Sequence, residues 1–154
     1  MKKAAYLALM MCTVGSANAG CPASLNGNWG GTITTQTDGI VFGADGNNTP
    51  LHSAADSVLT VTFSGATATP TFYSEAQSGV FGEATTGTNG AGLTVAYTRA
   101  SCNGTLTGDG NNWTFVLTDN GKTLHGVSFR GDKGKIGEQN YQSGDTRLMT
   151  LTRQ

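Results

Sequence analysis

Charged side chains are scarce in this sequence of 154 residues: they make up 12%, nine Lys or Arg against ten Asp or Glu, for a formal net charge of -1. That shortage excludes a coiled coil, a basic nucleic-acid binder and a charge-rich disordered tail. Aromatics are few at 8%, histidines number two and glutamates three, Glu75, Glu83 and Glu138. No segment beyond the amino-terminal twenty or so residues holds an apolar run long enough for a spanning helix, so a membrane would be crossed only by a β-barrel. Nor does any segment there sustain an i, i+3, i+4, i+7 apolar stripe over three turns, which removes helices as the main scaffold.

Glycine (23) and threonine (24) are abundant, and both are poor helix-interior residues. Period-two alternation recurs: Leu59, Val61 and Phe63 against Val58, Thr60 and Thr62; Leu93, Val95 and Tyr97 against Thr94, Ala96 and Thr98; Trp113, Phe115 and Leu117 against Thr114, Val116 and Thr118. With these go segments 29–37, 71–74, 80–83, 104–107, 122–130, 135–141 and 146–153. Asn120-Gly121 suits a type I′ turn joining 113–118 to 122–130. Segments 37–55 and 84–92 read as flexible loops, and Asp45-Gly46-Asn47-Asn48 and Asp109-Gly110-Asn111-Asn112 as the same turn chemistry used twice. The expectation is an all-β single domain over 20–154: an antiparallel up-and-down β-barrel of about eight strands, or alternatively a β-sandwich.

At the amino terminus Lys2-Lys3, the apolar run 4–14 and Ala17-Asn18-Ala19 read as a signal peptide over 1–19, cleaved after Ala19. Ala19-Gly20-Cys21 also matches the end of a bacterial lipoprotein box, but Asn18 and Pro22 depart from it, so lipidation of Cys21 is the less favoured route. Processing removes Cys12 and two lysines, leaving 135 residues of net charge -3 with an even pair, Cys21 and Cys102. In an oxidising periplasmic or extracellular compartment these predict a disulfide, closing a loop of about 80 residues.

Gly27-Asn28-Trp29 matches the Gly-x-Trp motif that opens many lipocalins and related calycin barrels. Thr118-Asp119 falls where that family often carries Thr-Asp-Tyr, with Asn120 in place of the tyrosine, and Arg147 or Arg153 falls on the last strand. The order Trp, Thr-Asp, Arg resembles a lipocalin signature. The resemblance implies a barrel whose first-strand tryptophan is covered by a last-strand arginine, taken here as the structural end pair Trp29 and Arg147. It assigns no ligand-contacting residue. A similarity to avidins in the Gly-x-Trp opening does not extend to a counterpart of the biotin pocket.

Motifs for chemistry are incomplete. Gly121-Lys122-Thr123 resembles the end of a P-loop, but Val116 stands where its first glycine belongs, so nucleotide binding is not expected. His125 reads as a strand histidine and His52 as a solvated loop residue; no motif positions Ser53, Ser128, Asp119 or Asp145 with them as a hydrolase triad. The three glutamates do not form a recognisable glycosidase pair, and at Asp45 and Asp109 the calcium-loop pattern fails at Thr49 and Trp113. Arg130, Lys133 and Lys135, with Asp132 among them, read as a solvated glycine-rich turn and not a nucleic-acid footprint. No cofactor, metal or catalytic residue is expected. The leading expectation is an exported, non-enzymatic β-barrel holding a small, mostly apolar ligand through residues not yet identifiable. The alternatives are a periplasmic protein-binding module, such as a hydrolase inhibitor, and a small outer-membrane β-barrel.

Overall fold

The computed structural model describes residues 20–79, 85–88, 90–108 and 110–154, with the backbone alone at 73, 75–79, 85–88 and 111. Nine strands follow in order: β1 (Gly27–Phe42), β2 (Asn48–Ser64), β3 (Thr67–Gly79), β4 (Thr85–Thr88), β5 (Leu93–Thr98), β6 (Asn103–Gly108), β7 (Asn111–Thr118), β8 (Thr123–Ile136) and β9 (Gln139–Arg153). All pairings are antiparallel, in the order β2-β1-β9-β8-β7-β6-β5-β3-β4, and β2 also pairs with β3. That last pairing closes eight strands into an up-and-down ring, with β4 attached, among the described residues, to β3 alone. The expected all-β barrel is therefore the fold, and the sandwich alternative is set aside.

Alternation decides which side chain enters the barrel. Trp29, Leu59, Val61, Phe63, Leu106, Phe115, Leu124 and Leu151 are buried inside. The outer surface carries threonines facing one another across strands, among them Thr32 opposite Thr150, Thr105 opposite Thr114 and Thr94 opposite Thr107. Such pairs suit a pleated surface with one dry and one wet face. Gly126 is buried on β8 because a Cβ there would lie 2.8 Å from the Met149 methyl; the glycine leaves room for that side chain in the barrel.

Several strands are much longer than the sequence suggests. The expected loop 37–55 is continuous ladder: β1 and β2 pair from Gly27 with Phe63 as far as Phe42 with Asn48, leaving a tip of only a few residues. β8 and β9 likewise continue through the expected turn around Arg130 and Lys135, to Ile136 opposite Gln139. The expected separate strand 135–141 is in fact the tip of this hairpin. The connection 119–122 is not a two-residue type I′ turn, since Asp119, Asn120 and Gly121 all have positive φ and the Lys122 amide closes the turn on the carbonyls of Thr118 and Asp119. Gly121 is buried there against Pro22, so the turn is shaped by what docks on it. The expected strand 80–83 lies outside the described residues, as do the segment 1–19 and Asp109.

One end of the barrel is filled and stoppered. Residues 20–26 run across it, burying Cys21 and Leu25, and a Cys21–Cys102 disulfide with a Cα–Cα distance of 5.5 Å fastens them to the β5–β6 connection. Their carbonyls accept hydrogen bonds from the barrel: Leu25 from the Trp29 indole (2.9 Å), Pro22 from the Tyr97 hydroxyl (3.0 Å) and Ser24 from Arg153 (2.9 Å). Trp29 packs on Phe63 with ring centroids 5.6 Å apart, and Tyr97 stacks on Phe115 at 6.4 Å. The sequence-derived end pair needs correction. The guanidinium 5.1 Å from the Trp29 ring centroid belongs to Arg153, which is directly opposite Trp29 in the β1–β9 register. Arg147 is opposite Thr35, six residues or roughly 20 Å further along the strand.

Candidate ligand cavity

Towards the other end the barrel interior is hollow. A cavity of about 630 Å³ opens to solvent, a size within the usual range of small-molecule sites. Its inner part is apolar, formed by Ile33, Leu59, Val61, Leu106, Trp113 and Met149, and is floored by the packed core above Trp29. Its outer part is polar, formed chiefly by Thr35, Thr37, Ser53, Ser57, Ser143 and four charged residues, Arg130, Asp132, Asp145 and Arg147, of which Asp145 and Arg147 form an ion pair. The two parts follow from the same strands. On β9 the inward positions run Leu151, Met149, Arg147, Asp145 and Ser143; on β8 they run Leu124, Gly126, Ser128, Arg130 and Asp132. The inner wall thus changes from apolar to polar as each strand rises, while the period stays two.

The opening has a side as well as a top. Among the described residues β8 is paired on both edges only as far as Ser128, which faces Trp113 of β7, and 129–136 pair with β9 alone. The short strands β5, β6 and β7 end below this level, and Arg130 and Asp132 line the cavity beside the unpaired edge, with Pro70, Gly90 and Ala91 also lining it.

The charged groups of the mouth are tied together. Asp145 accepts a hydrogen bond from the Thr37 hydroxyl (2.8 Å) across the β1–β9 pair and lies 3.5 Å from the Arg147 guanidinium, with the two side chains only 14% and 19% exposed. Asp132 accepts from the Tyr141 hydroxyl (2.8 Å) and from the Lys133 amide (2.9 Å). The Tyr141 hydrogen bond is the main reason the Asp132 carboxyl is held below the usual aspartate range, and the same bond pushes the Tyr141 phenol up.

The remaining candidates from the sequence fall elsewhere. His52 and His125 lie on the outer surface: His52 is bonded to Asp38 at 2.6 Å, and His125 is 3.3 Å from the Thr150 hydroxyl. Ser53 and Asp145 face the cavity and Ser128 is buried in the inner wall, so the barrel wall separates these groups from both histidines. Asp119, at the stoppered end, accepts from Thr123 (2.6 Å). Glu138 occupies the β8–β9 tip, Glu83 lies outside the described residues, and only the backbone of Glu75 is described. Among the described residues no three metal-ligating side chains cluster. Sequence reasoning missed Arg130, Asp132, Asp145 and Arg147 as cavity residues. Counting in twos from Leu124 and from Leu151 would have placed all four on the inner wall.

No protein-family model matches the chain, and neither curated proteins nor solved structures show significant similarity to it. The molecule is an eight-stranded antiparallel barrel with a disulfide-fastened stopper and an open interior.

Proposed function

We propose that this protein is an exported, non-enzymatic binding barrel that holds a small, mostly apolar molecule in its interior, in the manner of the lipocalin-like barrels it resembles. The observation that carries this reading is the hollow itself. A barrel of eight strands can be filled entirely by its own side chains, yet here the packed core stops partway and leaves about 630 Å³ lined by apolar groups and a few polar ones. The disulfide fits a compartment outside the cytoplasm. The outer-membrane alternative is less favoured because most outward positions of β1 are polar, Asn28, Thr32, Thr34, Gln36 and Asp38, with apolar Ile40 and Phe42 only towards its end, whereas a lipid-facing strand requires a continuous apolar face.

Titration with N-phenyl-1-naphthylamine, a neutral probe fluorescent in apolar surroundings, tests the reading. Saturable enhancement is expected, together with its loss in Ala55→Trp, whose indole would occupy the cavity from the β2 wall. No saturable binding, or binding indifferent to that substitution in a folded variant, overturns it.

A protein-binding role is favoured by one separate observation. Phe129 is 73% exposed and Leu148 57% exposed on the outer face of the β8–β9 pair, beside Val127, which is opposite Leu148. If this face engages a protein partner in place of an internal ligand, Phe129→Ser abolishes complex formation and Ala55→Trp leaves it intact.

A further inference from the structure

We propose that the free edge of β8, residues 129–136, is the docking site for an extended, acidic segment of a partner protein, which joins the barrel sheet as an antiparallel strand. The inference goes beyond the cavity reading and does not depend on it. Three observations lead to it.

The first is unmet backbone pairing. Among the described residues 129–136 pair with β9 alone, in an unbroken register from Phe129 opposite Thr146 to Ile136 opposite Gln139. Every second residue therefore turns its N–H and C=O away from β9, towards the side opening. The stretch covers roughly 26 Å, enough for an added strand of ordinary length. Among the described residues β7 holds the same edge only up to Ser128, so the added strand lies beyond its end without displacing it.

The second is charge. The outward positions of this edge are Phe129, Gly131, Lys133 and Lys135, and neither ammonium has a hydrogen bond or ion pair with a described residue. The outward positions of β9 beside them, Asn140, Gln142, Gly144 and Thr146, are uncharged. Of the acids nearby, Asp38 is one strand further, on β1, and bonded to His52, and Glu138 is in the hairpin tip beyond the edge. Two solvated cations at alternate positions of an edge match acidic side chains at the same spacing on an added strand. A strand bearing lysines, this one included, is no complement.

The third is an apolar contact at the other end of the same edge. Phe129 is 73% exposed, and Leu148, diagonal to it on β9, is 57% exposed. Gly131 leaves room beside the ring, with nothing nearer than 4.0 Å to an added Cβ, so a partner side chain fits there. On the inner face Arg130 and Asp132 have opposite charges, which suits uncharged polar side chains. The geometry thus specifies, from Lys135 back to Phe129, an alternation of acidic, polar, acidic, polar, apolar, polar and apolar residues.

An NMR titration of the isotope-labelled, disulfide-bonded protein with the end-blocked peptide Glu-Thr-Glu-Thr-Val-Thr-Ile tests the proposal. Saturable shifts are expected, with hydrogen exchange slowed about tenfold or more at alternate amides of 129–136. The charge-swapped peptide Lys-Thr-Lys-Thr-Val-Thr-Ile should bind at least about tenfold more weakly, and the preference should reverse in the Lys133→Glu, Lys135→Glu double variant. Phe129→Ser should weaken binding about fivefold. N-methylation of the peptide at its odd or at its even positions should have unequal effects, because only one set of N–H groups points at β8. No saturable shift, no slowed exchange at 129–136, equal affinity for the two peptides, undiminished affinity in Phe129→Ser, or equal binding by both methylated forms overturns the proposal. Ala55→Trp should leave peptide binding unchanged, so peptide docking and the cavity reading fail separately.

Discussion

Arg153 lies over the indole of Trp29 and, from the same position, donates to the carbonyl of Ser24, so one guanidinium joins the last strand, the first strand and the stopper segment. Trp29 is fully buried, and its own N–H is spent on Leu25. Removing the indole in Trp29→Ala should therefore destabilise the fold by about 3–5 kcal/mol, as for other buried aromatics. Arg153→Met keeps part of the apolar cover and loses the charge, for an expected loss of about 1–2 kcal/mol. Urea unfolding followed by tryptophan fluorescence would measure both. An effect of Arg153→Met no larger than that of Arg147→Met would contradict the assignment of Arg153 to this role.

The Cys21–Cys102 link spans 81 residues of chain. On the chain-entropy account, the Cys21→Ser, Cys102→Ser double variant loses up to about 4–5 kcal/mol. The loss should be localised as well as global, because residues 20–26 are then held by non-covalent contacts alone: hydrogen bonds from Trp29, Tyr97, Arg99 and Arg153 to their carbonyls, one from the Gly65 amide to the Asn26 side chain, and the packing of Leu25 and Pro22. Hydrogen exchange should accelerate at residues 20–26 by much more than in β8 and β9. Uniform acceleration across the barrel would show instead that the stopper and wall unfold as one unit.

Asp132 and Tyr141 set opposite limits on pH. The Asp132 carboxyl is depressed below 3.8 by the Tyr141 hydrogen bond, so its contribution to stability is present above 3.8 and is lost as pH falls through the folded-state value. The Tyr141 phenol is raised above 10.0, chiefly by the same bond, so its contribution is full below 10.0 and is lost as pH rises through the folded-state value. Tyr141→Phe should return the Asp132 carboxyl towards 3.8 in a carboxyl NMR titration. Both side chains are exposed enough that the effect on global stability should be small.

Gly104 sits where an added Cβ would come within 2.6 Å of the Phe115 ring, which is stacked on Tyr97 in the filled end. Gly104→Val should cost about 1–3 kcal/mol by overpacking. Gly144, on the outer face of β9 and with nothing within contact distance of a Cβ, should accept alanine with a change within about 0.5 kcal/mol. Thermal melts of the two variants would separate a glycine required by the packed interior from one on the outer surface.

The filled half was legible in the sequence, and the hollow half was not, for one physical reason. Around Leu59, Val61 and Phe63, or Trp113, Phe115 and Leu117, apolar inward positions alternate with threonine and the contrast marks a strand. Higher in the wall the inward positions become Thr35, Thr37, Ser143, Asp145, Arg147 and Arg130. The apolar residues left there, Ile40, Phe42, Phe129 and Leu148, are on the outer face, so the apolar-in, polar-out contrast is lost and the ladder resembles loop. The cavity residues were hidden by the same property that gives the cavity its polar mouth. Arg147 and Arg153 could not be told apart as partners of Trp29 because that choice depends on the β1–β9 register, which no local pattern encodes.

The one-sided pairing of residues 129–136 bears on how the protein behaves when crowded. An open strand edge offers its peptide groups to any neighbouring chain, and here Lys133, Lys135 and three residues with poor strand preference, Gly131, Asp132 and Gly134, occupy it. Two cations repel a second copy approaching in register, and the glycines deprive a fibril-like stack of interlocking side chains. Replacing both lysines by valine would convert a self-limiting margin into a seed for polymerisation.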